Sequence, residues 1–191
     1  TGGNIHITAG QGGAQGGEIA VKTGTSISGT SGSVLFQSGN NPGQGSGRVS
    51  IVAGESIEND AGNIRLAAGD SDFGIGGSVA ITAGKSATHT GGSISMTSGE
   101  SVGESTTSGG IQIATSSSSS SGDIALSTGS STDGKSGNIK LTSGSSYSGK
   151  SGAVQINAGD TLSDSNGGAV SFKSGGSTQS ASGSVTVQTA E

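Results

Sequence analysis

A Gly, a variable residue, an Ile or Val, a variable residue and a second apolar residue recur thirteen times along the chain. The copies begin at Gly3, Gly17, Gly32, Gly47, Gly62, Gly77, Gly92, Gly109, Gly122, Gly137, Gly152, Gly168 and Gly183, in steps of 13 to 17 residues with 15 the commonest. The third position is β-branched in every copy: Ile5, Ile19, Val34, Val49, Ile64, Val79, Ile94, Ile111, Ile124, Ile139, Val154, Val170 and Val185. The fifth is apolar in every copy: Ile7, Val21, Phe36, Ile51, Leu66, Ile81, Met96, Ile113, Leu126, Leu141, Ile156, Phe172 and Val187. The seventh holds only Ala, Ser or Thr, and the eighth is Gly except at Ser116 and Ala190. Variable, mostly polar residues such as Asn63 and Arg65 stand between these columns. This two-residue alternation predicts a strand with one buried face, and Ile and Val suit a pleated surface because their side chains are stiff. Helix is excluded: a Gly every seven or eight residues costs about 1 kcal/mol each, and no 3.6-residue period appears.

The second half of each copy is polar but still patterned. Two residues past the eighth position stands a hydroxyl in ten of twelve copies: Ser26, Ser56, Ser71, Ser86, Ser101, Ser118, Ser131, Ser146, Thr161 and Ser177. The next position is mixed, with Ile27, Ile57, Val102, Tyr147 and Leu162 among polar residues. We read this half as a shorter antiparallel return strand, with flanking glycines supplying positive-φ corners. Length changes fall here, at Val102–Ser108 and in the Ser116–Ser121 run, as expected of loops.

One copy cannot fold alone. Two buried aliphatic side chains give roughly 3–6 kcal/mol, against roughly 15–30 kcal/mol for ordering fifteen backbones. Stacking identical copies is the standard remedy. The expected fold is all-β: a single-stack parallel β-solenoid (β-helix) of about 13 coils of ~15 residues, with a flattened thin core and no caps. Its core would be the third and fifth columns, with Ile64 and Leu66 sealed from water, the seventh column would let the walls close, and the hydroxyls would form a ladder along the axis. At about 4.8 Å per rung the stack would be on the order of 58 Å long. No internal boundary is visible, so residues 1–191 are expected to form one domain. The terminal stretches Thr1–Gly3 and Gly183–Val187 already read as repeat. That predicts a segment of a longer array or end-to-end stacking of copies, with a chain shorn of its caps as the alternative.

The units Gly122-Asp-Ile-Ala-Leu-Ser-Thr-Gly and Gly137-Asn-Ile-Lys-Leu-Thr-Ser-Gly resemble repeats in Gly/Ser-rich β-solenoid arrays of algal cell-surface and secreted proteins and of bacterial adhesin stalks. The resemblance covers nearly the whole chain. It implies a structural or adhesive role outside the cell, and brings no catalytic residue with it. The Gly-Gly-x-Gly-x-Asp calcium nonapeptide is not repeated here, so no calcium is implied.

Composition narrows the functional classes. Gly and Ser contribute 40 residues each of 191, hydrophobic residues are 27% and aromatics 2%. Composition alone points to a low-complexity or disordered chain, and only the periodicity argues otherwise. Cys is absent, which excludes disulfides and thiolate metal sites. The net charge is −5 with 8 Lys+Arg, which argues against a nucleic-acid groove. No apolar run approaches the roughly 20 residues of a membrane span.

Candidate chemistry is sparse. His6 and His89 lie in different columns, and Glu55, Asp70, Glu100 and Asp160 share a loop column with Lys85, so both sets read as solvated surface. Gly84-Lys85-Ser86 and Gly149-Lys150-Ser151 precede no helix and are not phosphate loops. Tyr147, Phe36, Phe73 and Phe172 are too few for a stacking platform. No Asn-x-Ser/Thr acceptor occurs, while the Ser/Thr-rich loops leave O-linked glycans open as partners. The expected function is therefore a non-catalytic extracellular structural protein that forms a rigid rod or filament by coil stacking, with other copies of itself as partner and without cofactors. Two alternatives stand beside it. One is an ice-binding solenoid, against which the sixth position speaks by mixing Thr8, Thr82, Thr97 and Thr142 with Lys22, Gln37 and Lys173. The other is the stalk of a surface adhesin.

Overall fold

Two aliphatic side chains in every fifteen residues hold a coil together only if the polar half of the copy returns as a second wall. In a computed structural model, which describes residues 2–103 and 106–189, that half does something else. It folds into a small loop closed upon itself. At eight necks the N–H of the first Gly of a copy donates to the C=O of the preceding eighth-position Gly, as from Gly62 to Gly54 at 3.0 Å, Gly77 to Gly69 at 2.9 Å and Gly92 to Gly84 at 2.8 Å. Gly109 does the same to Gly99, across a longer interval. The apolar half of a copy runs between such loops as a single unpaired segment, and among the described residues no backbone neck closes at Gly47, Gly122 or Gly137.

The chain divides into two units, Thr1–Ser95 and Met96–Glu191. In the first, necks close at Gly17, Gly32, Gly62, Gly77 and Gly92. In the second they close at Gly109, Gly152, Gly168 and Gly183. Every neck lies within one unit.

Neither helix nor β-strand occurs among the described residues. The chain is therefore not all-β, and neither the parallel β-solenoid nor its return strand forms. The physical reason is the neck. Once the polar half is pinched off as a loop, it cannot form the opposite wall of a coil. One apolar segment is then not laid beside the next at strand spacing, and contacts between residues twelve or more apart are sparse. The left-handed glycine corners are absent as well: no glycine has φ in that region.

The exposed area gives the same result in numbers. A packed chain of 17.9 kDa exposes roughly 8,000 Å² and an extended one about 26,000 Å². This chain exposes 19429 Å². Among the described residues none is buried, and the dry seam expected of the third and fifth columns is not made: Ile64 is 51% and Leu66 75% exposed. The half-shielded residues are Ala9, Thr23, Ser38, Ala53, Ala83, Ser98, Ser143, Ala158 and Ser174, all of the seventh position. The most enclosed place in a copy is thus its neck.

Candidate functional site

The neck is built from two columns. The Cβ atoms of the seventh-position residue and of any side chain placed on the next copy's first Gly would meet there. A Cβ at Gly62 would lie 3.2 Å from Ala53 Cβ and 3.2 Å from the Gly54 nitrogen. At Gly77 the corresponding distances, to Ala68 Cβ and the Gly69 nitrogen, are both 3.1 Å. Such approaches are tighter than side chains ordinarily tolerate and recur at Gly17, Gly32, Gly92, Gly137, Gly152 and Gly168, which accounts for Gly there and for Ala, Ser or Thr opposite it; at Gly47, Gly109, Gly122 and Gly183 the nearest atoms lie at 3.5 Å or more. Thr at the seventh adds a second tie at Gly32, where Thr23 Oγ1 donates to the Gly32 carbonyl at 3.1 Å, and stands in for the backbone tie at Gly137, where Thr128 Oγ1 donates to the Gly137 carbonyl at 3.2 Å.

The loop tip is held by the hydroxyl column. Ser26 Oγ accepts from the Gly29 N–H at 3.0 Å, Ser71 from Gly74 at 2.9 Å, Ser131 from Gly134 at 3.0 Å and Ser146 from Gly149 at 2.9 Å. Ser56, Ser86 and Ser177 accept likewise from Asn59, His89 and Ser180. Thr161 accepts from Ser163, and Ser101 pairs with Thr106 Oγ1. Ser118 makes no such bond among the described residues. The hydroxyls therefore turn the chain inside their own copies and form no ladder between copies.

The two departures from the hydroxyl column obey the same geometry. Asn41 Oδ1 accepts from both Gly43 and Gln44 at 2.9 Å, with Pro42 fixing the turn between them. Gly12 stands where a Cβ would overlap the Gln15 carbonyl oxygen in the tight loop closed at Gly17. Sequence carried a signal for these turns: Ser-x-x-Gly at 26–29, 71–74, 131–134 and 146–149, and Asn-Pro-Gly at 41–43, place turn formers at the first and last turn positions. A return strand was the wrong reading of them.

The thirteen apolar pairs are the other recurrent feature. Third-position residues from Ile19 onward are about half exposed and fifth-position residues mostly more so, while Ile5 in the first copy is more exposed than Ile7. Ile27, Ile57, Tyr147 and Leu162, at the loop tips, are fully exposed. The extended segments that carry the pairs have no backbone hydrogen-bond partners among the described residues except at their necks.

Titratable groups are dispersed. His89 sits at a loop tip, where its Nδ1 lies 2.8 Å from Thr88 Oγ1, and His6 lies in an extended segment of the first copy. Glu55, Asp70, Glu100 and Asp160 each begin a different loop and are exposed. Among the described residues no group of three or more His, Cys, Asp or Glu is placed to hold a metal, and no pocket is enclosed. Lys85 and Lys150 lie in polar loops with no helix behind them. No helix among the described residues is long and apolar enough to cross a membrane. No protein-family model, curated protein or solved structure matches this chain.

Proposed function

We propose that this is a non-catalytic structural protein that acts outside the cell and builds filaments by association with further copies of itself. The observation that carries the reading is the exposed apolar pair repeated at intervals of 13 to 17 residues, most often 15, from Ile5 and Ile7 to Val185 and Val187. Apolar surface left in water favours association. A side chain of this size covers about 60–120 Å² when fully buried, taking 1.5–3 kcal/mol at 25 cal/mol/Å². A dozen such pairs therefore offer more than the roughly 800 Å² per partner of a standard interface. The partner whose spacing matches is another copy of the same chain. Because each pair resembles its neighbours, partners offset by whole repeats match almost as well, so growth does not stop at a dimer.

The extracellular setting rests on the resemblance to Gly/Ser-rich surface arrays, and O-linked glycans on the exposed Ser/Thr loops fit that setting. Sedimentation and electron microscopy across a concentration series test the assembly. Filaments that lengthen with concentration, and are lost in the Ile64→Ser, Leu66→Ser, Val79→Ser, Ile81→Ser variant, are expected. A monomer at every concentration, or unimpaired assembly of that variant, defeats the reading.

A further inference from the structure

The necks and tip turns form a device that self-association does not explain. Each neck ties two residues seven to ten positions apart by one backbone hydrogen bond, and nine such ties are present among the described residues. Each is exposed, none is reinforced by a buried core, and the tie bridges the two ends of its loop. Tension applied to the extended segments on either side therefore pulls its donor and acceptor directly apart. The loop behind a neck has no packing that would keep it closed once the tie is broken.

We propose that the glycine-necked loops make the chain extensible: under tension the necks open one by one and release hidden length before the extended segments are strained. An eight-residue interval spans roughly 27 Å when drawn out and about 5 Å across its neck, so each opening releases roughly 22 Å. The nine necks together release on the order of 200 Å. The loops re-close when tension falls, because tip turns such as those made by Ser26, Ser71 and Ser146 bring the two neck glycines back towards one another. Thr23, which donates across the neck at Gly32, makes that neck the later one to yield. The function is that of a compliant tether, which needs no ligand and no second chain.

Single molecules of the full chain, held by their ends at high dilution, provide the test, since no partner is then present. The comparison variant is Gly62→Pro, Gly77→Pro, Gly92→Pro, which deletes three donating N–H groups. The control is Gly39→Ala, Gly45→Ala, Gly129→Ala, where an added Cβ meets nothing within 4 Å and none of the nine necks is involved. The wild-type chain and the control are expected to show excess low-force lengthening, and the proline variant to lack about a third of it, being three of nine necks. Superimposable force–extension curves for all three chains overturn the proposal. Amide exchange of the unstretched wild type supplies a second reading: Gly62, Gly77 and Gly92 should exchange several-fold more slowly than Gly54, Gly69 and Gly84, and equal rates overturn it too. Failure here leaves the filament reading untouched, because neither measurement involves association.

Discussion

At the scale of the residue, the two glycine columns look alike in sequence and differ in cause. A Cβ added to first-position Gly62 would lie 3.2 Å from Ala53 Cβ and 3.4 Å from the Gly54 carbonyl oxygen, whereas nothing lies within 4 Å of a Cβ added to Gly54. The same substitution should therefore have opposite effects on the two sides of one neck. Gly62→Ala is expected to force the neck apart and to speed amide exchange at position 62 several-fold. Gly54→Ala should leave that exchange unchanged or slow it slightly, because removing a glycine lowers the entropy of the open chain by about 0.4–1 kcal/mol. Exchange measured by NMR on both variants decides the matter, and equal acceleration in both would show that the Cβ contact is not what selects glycine.

At the scale of the element, the unit is a loop whose free energy is close to balance. Closing an eight-residue loop costs about 1.8 kcal/mol from the length term. The neck bond and the tip bond each contribute about 0.5–1.5 kcal/mol, so the loop persists only while both are made. Removing the tip bond should thus be felt at the neck. Ser71→Ala is expected to cost about 1 kcal/mol, and so to raise exchange at Gly74 and at Gly77 about fivefold together. Asn41→Ser should preserve the turn at Gly43 and Gln44, while Asn41→Ala should abolish it. Exchange that rises at Gly74 but not at Gly77 would mean that tip and neck are independent.

The same loop shows how far sequence alone could be read. The copy boundaries, the small seventh column and the hydroxyl position are all legible, and each has a place in the structure. The architecture is not, because strict alternation at Ile64, Arg65 and Leu66 describes an extended backbone equally well whether or not a neighbour pairs with it. What decides between the two is the polar half. There Ser71-Asp72-Phe73-Gly74 is a turn, and reading it as a strand supplied an opposite wall that the chain does not make. The crowding at Gly62 and Gly77 was invisible for a related reason: it lies between residues nine apart, a distance that no local pattern reports.

At the scale of the whole molecule, the thermodynamic signature follows from area. Roughly 6,500 Å² remains to be exposed on full extension, the difference between about 26,000 Å² and 19429 Å². A packed chain of this mass would expose about 18,000 Å². Heat-capacity change scales with exposed area, so the dilute chain should show about a third of the roughly 2.3–2.9 kcal/mol/K expected for a packed protein of this length. With no shared core to couple the loops, each neck opens on its own. Heating should then give a broad, featureless change rather than a peak, where a cooperative fold of this length would absorb on the order of 130 kcal/mol at its midpoint. Calorimetry at concentrations below assembly reads this directly, and a sharp concentration-independent transition would contradict the exposed chain described here. The assembled state should behave differently. Burying the pairs from Ile5 to Val187 between copies couples loops in different chains, so a transition that sharpens and rises with concentration reports association by mass action. The same experiment therefore separates what one chain can hold together from what many chains can.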